Sequence, residues 1–121
     1  MKKLRVVFAV AFLISFLAVS AQQHSIIRDI LQNSVTEKVD RMQQLIKFDE
    51  TQAKQLEDIE LNLLLKVQKA ENCCLCNTKR RIEKLQLKRD EELQKILTRE
   101  QYIKYIGIEK ERIRKGVLIA Q

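Results

Sequence analysis

The sequence predicts an all-α protein, and three observations carry that expectation. Beyond residue 25, apolar residues recur at steps of three and four rather than in alternation, which is the helical period. The chain has no Pro and only two Gly, Gly107 and Gly116, so the usual punctuation of hairpins and barrels is missing. Two short stretches, 48–52 and 97–101, carry the residue pattern of a helix start. Together these predict about four amphipathic helices in a single domain of residues 22–121.

The apolar beginning of the chain is expected to be an export signal. Met1–Arg5 is basic, Val6–Val19 is fourteen almost unbroken apolar residues, and Val19-Ser20-Ala21 offers the small residues that a signal peptidase reads. Fourteen apolar residues fall short of the roughly 20 needed to cross a bilayer. Residues 1–21 therefore read as a cleaved signal peptide, cut after Ala21, with a periplasmic or secreted address and no membrane span afterwards. Cleavage takes away Lys2, Lys3 and Arg5 and no acid, so the formal charge of +7 becomes +4. It leaves Phe48, Tyr102 and Tyr105 as the only aromatic residues. Nucleic-acid binding needs a concentrated basic face with stacking aromatics, so it is not expected. With His24 the single His, no nucleophile–base set and no Gly-rich phosphate loop can be assembled, and the expectation is a protein without catalysis.

Each helix has its own stripe. The first carries Ile27, Leu31, Val35, Val39, Met42 and Ile46. The second carries Leu56, Ile59, Leu63, Val67 and Ala70, widened by Leu61, Leu64 and Leu65. The third carries Ile82, Leu85, Leu93 and Ile96, with Arg89 on the same face. The fourth runs from near Tyr102 through Ile106 and Ile113, with Gly116 the expected stop and the stretch Val117–Gln121 left unassigned. Stripes this broad on a chain with a modest core predict a homodimer.

Helix starts are the strongest local signal. Leu97-Thr98-Arg99-Glu100-Gln101 reads as a capping box, Thr98 accepting from the Gln101 backbone N–H while the Gln101 side chain reaches back to Thr98. Leu97 and Tyr102 then take the two positions of a hydrophobic staple. Phe48-Asp49-Glu50-Thr51-Gln52 repeats the device with Phe for Leu and Asp for Thr, 49 residues earlier. Between the second and third helices, Asn72 and Asn77 flank Cys73, Cys74 and Cys76. In an oxidising compartment Cys73 and Cys76 are spaced for a local disulfide, with the third thiol left for an intermolecular bond. Clustered thiolates also suit Zn or Cu, although a partner chain or His24 would have to complete the ligand set.

Charge is unevenly shared. The second helix is acidic, at −3, while the third and fourth are each +3 and the first +1. An acidic helix beside basic ones favours an antiparallel arrangement, each exposed pair contributing little.

Ile96-Leu97-Thr98-Arg99-Glu100-Gln101, with Tyr105 following, and the looser copy Phe48–Gln52 resemble the Spy/CpxP family of periplasmic proteins, whose hallmark is an LTxxQ motif occurring twice. The resemblance implies a four-helix, cradle-shaped subunit that pairs into a dimer. It also implies an ATP-independent chaperone, a modulator of envelope stress, or a metal-responsive sensor.

The leading expectation is accordingly a helical binding protein that captures partly unfolded or membrane-derived polypeptides. Its apolar contacts are assigned to Leu61, Leu65 and Ile108, and its basic rim to Arg80, Arg81, Lys84 and Lys88. Phe48, Asp49, Gln52, Leu97, Thr98 and Gln101 are assigned to the helix caps. No cofactor is expected under this reading. The alternative is a metal-responsive sensor or regulator that binds Zn or Cu through Cys73, Cys74 and Cys76.

Overall fold

A computed structural model describes residues 25–75 and 77–120; the expected export segment 1–21, His24, Cys76 and Gln121 lie outside them. The described residues form four helices and no strand, as the sequence predicts. These are α1 (residues 25–46), α2 (Glu50–Glu71), α3 (Thr78–Ile96) and α4 (Arg99–Ala120).

Packing begins part-way along α1. Val35, Val39, Met42 and Ile46 are buried at steps of four, three and four. Leu31 only packs against the edge of the core, and Ile27, expected in the stripe, is exposed. The helix ends at Lys47, whose φ of 62° puts it in the left-handed region usually occupied by Gly, and whose N–H donates to the Gln43 carbonyl at 2.8 Å. That reversal drops Phe48 into the core, 4% exposed, and leaves Asp49 to cap α2.

Both capping boxes form. The Gln52 N–H donates to Asp49 Oδ1 at 2.7 Å while the Asp49 N–H donates to Gln52 Oε1 at 3.0 Å. At the start of α4 the Gln101 N–H donates to Thr98 Oγ1 at 3.2 Å, and the Thr98 N–H to Gln101 Oε1 at 3.0 Å. Phe48 and Ala53 are buried beside the first box, and Leu97 is buried beside the second with Tyr102 packed on the core, so both staples are in place.

The boxes are also bonded to each other. Gln52 Nε2 donates to Gln101 Oε1 and to the Ile96 carbonyl, both at 3.0 Å. One Gln thus caps its own helix through its oxygen and ties down the neighbouring turn through its nitrogen. The N-termini of α2 and α4 therefore lie side by side.

The asparagines mark the break between α2 and α3. Asn72 closes α2 through its backbone N–H, and the Asn77 side chain accepts from the Arg80 N–H at 3.4 Å. Gly116 does not stop α4, which continues to Ala120; no Gly among the described residues has a positive φ. A Gly inside a helix costs only about 1 kcal/mol relative to Ala, which the continuing turns absorb. Ile113 at this end is 60% exposed and serves no core.

Because the boxes share a hydrogen bond, their glutamines should be coupled. Replacing Thr98 by Ala is expected to cost about 1 kcal/mol. Gln52→Ala and Gln101→Ala together should cost less than the sum of the single effects, by about 0.5–1.5 kcal/mol. Urea unfolding of the two single variants and the double variant measures this directly. Strict additivity would mean that the Gln52–Gln101 bond contributes nothing.

Candidate functional site

Midway along the bundle, each helix sends a charged or polar side chain to one point. Arg89 of α3 and Glu60 of α2 are buried, at 6% and 3% exposure, and Tyr105 of α4 is completely buried. Lys38 of α1 and Glu109 of α4 complete the group from its half-buried edge.

The geometry converges on Glu60 Oε1. It accepts from Arg89 Nη2 at 2.6 Å, from Arg89 Nε at 3.1 Å and from the Tyr105 hydroxyl at 2.7 Å, and Lys38 Nζ lies 3.3 Å away. Arg89 Nη2 also donates to Glu109 Oε2, and Arg89 Nη1 to Asp90 at 3.0 Å. Lys38 Nζ donates to Glu109 Oε2 at 3.3 Å. The Tyr105 ring stands 5.6 Å from Lys38 Nζ and 5.8 Å from Arg89 Cζ, within range of cation–π attraction to both. Lys38 and Arg89 balance Glu60 and Glu109, so the cluster is neutral before Asp90 at its rim is counted. Among the described residues no buried side-chain nitrogen or oxygen lacks a partner. Buried ions are tolerated only on those terms, because desolvation otherwise exceeds the attraction.

Proton affinities follow from the same contacts. Burial works against charge on Arg89, but the hydrogen bond to Glu109 and the fields of Glu60 and Glu109 outweigh it and hold the guanidinium charged. Burial pushes Glu109 up, yet the Arg89 hydrogen bond and the positive charge of Lys38 and Arg89 bring it below the ordinary carboxylate value. The Tyr105 hydroxyl is raised by burial and by the Glu60 carboxylate beside it, with Arg89 pulling the other way. Outside the cluster, slight burial and the neighbouring Asp40, Asp58 and Glu50 raise Glu57.

The sequence stripes point to Arg89, which lies on the apolar face of α3, but not to its partners. A signal for them was present. Glu60 and Glu109 each stand eleven residues beyond their caps, Asp49 and Thr98, so the 49-residue repeat continues past the glutamines through Leu56/Tyr105 and Ile59/Ile108 to the two acids.

The residues expected to contact polypeptide fall into different places. Leu61 is a correction: it is 7% exposed and belongs to the core, because α2 turns this face toward the other helices. Leu65 and Ile108 are half-buried and pack on that core. Arg80, Arg81, Lys84 and Lys88 are all exposed. The first three line a shallow hollow with Asn77 at the start of α3. Lys88 borders a narrow groove along the α2–α3 hairpin, whose lining includes Ile59, Leu63 and Leu85. Cys74 is a free, exposed thiol, Cys73 is half-buried and not free, and Cys76 lies outside the described residues. Among the described residues no three His, Cys, Asp or Glu side chains are placed to hold a metal ion. No described helix is long and apolar enough to cross a membrane.

No protein-family model matches this chain, and no curated protein or solved structure is significantly similar to it.

Two outcomes follow from the cluster. Replacing Arg89 by Met strands Glu60 in the core and should cost about 3–5 kcal/mol in urea unfolding. Adding Glu60→Leu removes the stranded charge, leaves Lys38 paired with Glu109, and should recover most of that loss. A double variant no more stable than Arg89→Met would contradict the arrangement.

Stability should also depend on pH in a defined way. Glu109, lowered in the folded state, contributes stability that is present above the ordinary Glu value near about 4.3 and lost as pH falls through it. Glu57, raised, acts in the opposite sense and partly offsets that loss. Tyr105, raised, contributes stability that is present below about pH 10 and lost above it, where an unfolded tyrosine ionises. Glu109→Gln should flatten the acid limb and Tyr105→Phe the alkaline limb of a stability–pH curve. An unchanged acid limb in Glu109→Gln would remove Glu109 from the account.

Proposed function

We propose that this protein is an exported, chaperone-like binding protein, working without ATP and without catalysis, that captures partly unfolded or membrane-derived polypeptide along the flank of its α2–α3 hairpin. The observation that supports it most is a small apolar cleft there, about 20 Å³ in volume, which offers a foothold for a side chain. Ile59, Leu63 and Leu85 make a half-buried apolar floor, and Lys66 and Lys88 stand exposed at its edges with Asn62 and Glu92. Long-range attraction to the lysines speeds encounter, and an apolar contact of modest area permits release. The resemblance of the two interlocked capping boxes to the twice-occurring Spy/CpxP motif supports the same reading. Among the described residues the core holds twelve buried hydrophobic residues, a small number that supports pairing into a homodimer.

Suppression of aggregation of an unfolded test protein measures the activity. Leu63→Asp with Leu85→Asp should abolish most of the suppression. Lys66→Gln with Lys88→Gln should slow capture, as added salt should in the unmodified protein. Full suppression by the Asp variant, with its helicity retained, would exclude the groove as the capture surface.

A further inference from the structure

Charge is segregated along the bundle. Gln52 meets Gln101, and Arg89 bonds both Glu60 and Glu109, each eleven residues past its cap, so α2 and α4 run parallel from the capped end. The ionic cluster therefore divides the molecule into a capped end and an end that carries the α2–α3 loop. On the loop side, residues 25–37, 61–87 and 110–116 hold eleven Lys and Arg against five Asp and Glu, a net +6. On the capped side, residues 38–60 and 88–109 hold nine against eleven, a net −2. The helix-by-helix charges of +1, −3, +3 and +3 do not show this division, because each helix runs through both ends. Cations are shared almost equally, eleven against nine; folding gathers the acids at the capped end, five against eleven, and leaves the loop end net positive.

Among the described residues, that end also carries exposed apolar side chains. Leu75, in the α2–α3 loop, is 100% exposed. Ile26 and Ile30 of α1 are 57% and 62% exposed and Ile113 of α4 is 60% exposed. Next to Leu75 in the chain, Arg80, Arg81 and Lys84 line the hollow at the start of α3 together with Asn77, a set of donors suited to an anionic oxygen cluster. The apolar residues are spread singly over two helices and a loop, with cations between them, and are not gathered into a trough. A cleft suits a polypeptide side chain; a fully exposed Leu among dispersed cations suits a flat interface. Shallow apolar insertion combined with several Lys and Arg is how peripheral proteins hold an anionic membrane.

From this juxtaposition we infer that the loop end is a docking surface for an anionic lipid bilayer, with Leu75 entering the headgroup layer and Arg80, Arg81 and Lys84 contacting lipid phosphates. The residues involved are not those of the α2–α3 groove, so the two surfaces are separately testable. Net charge orients the approach: the +6 end faces the membrane and the −2 end faces away, over a range of about 8–10 Å at physiological salt.

Co-sedimentation of the full chain with vesicles tests this, comparing phosphatidylcholine containing 30 mol%, on the order of one lipid in three, phosphatidylglycerol with pure phosphatidylcholine. Residues 1–24 are identical in every variant, so the difference between the two triple variants, rather than the parent's binding alone, carries the test. The anionic vesicles should bind at least about tenfold more strongly, with the preference lost in high salt. Arg80→Gln, Arg81→Gln and Lys84→Gln together should weaken anionic binding about tenfold or more, and Leu75→Asp about threefold. Removing the same amount of charge from the capped end, by Lys47→Gln, Lys54→Gln and Lys104→Gln, should change it by less than about threefold. All these positions are exposed, and circular dichroism of each variant should match the parent. Equal losses from the two triple variants, or no preference for anionic vesicles, would overturn the proposal. So would tighter binding to soluble polyglutamate than to vesicles, which would assign the surface to an acidic polypeptide.

Discussion

Arg89 of α3 is held between two carboxylates that belong to different helices, Glu60 from α2 and Glu109 from α4, and the rest of the fold is arranged around that fact. A guanidinium has five N–H donors in a rigid fork and cannot shed its charge, so burying it commits the surroundings to supplying acceptors at fixed places. Two acids and Lys38 bring the local charge to zero, and the Tyr105 hydroxyl donates a further hydrogen bond to Glu60. Buried ion clusters are not a cheap source of stability, because desolvation consumes most of the attraction. What this cluster contributes is registry, since sliding any helix by one residue removes its charge from the group and leaves the others unpaired.

The interlocked caps serve the same end by a different route. Gln52 and Glu60 are eight residues apart on α2, about 12 Å along a helix, as are Gln101 and Glu109 on α4. Leu56, Leu93 and Tyr105 fill the interval and are completely buried. The α2–α4 contact is thus pinned by hydrogen bonds at two levels with an apolar layer between them. Beyond the cluster, on the loop side, α1 is exposed from residue 25 to 30 and α4 from residue 110 to 116.

Helices, caps and the Asn-flanked break are legible in the sequence because each depends on residues within a turn of one another. Val35, Val39, Met42 and Ile46 show their periodicity regardless of what packs on them, and Thr98 and Gln101 make their box locally. The ionic cluster is much less legible. Arg89 on an apolar face is a visible irregularity, but an Arg there commonly lays its stem on the core and sends its head to water. Only the positions of Glu60 and Glu109, equivalent in the two halves, distinguish a buried partner from a solvated acid. Leu61 illustrates the opposite error: next to a stripe it looks like surplus apolar surface, and burial depends on how neighbouring helices cross. Charge segregation was hidden for a similar reason. Totals by helix average the two ends together, and the division appears only once the level of the cluster is known.

A single cooperative unit is the central consequence of this arrangement, and native-state amide exchange of the core positions tests it most directly. Because Arg89 and the paired glutamines join α2, α3 and α4, the amides of Leu56, Glu60, Leu93 and Tyr105 should open together, with one common free energy equal to that of global unfolding. Clearly different opening free energies for these four amides would show that α2, α3 and α4 open independently, and would contradict a fold governed by the buried charges.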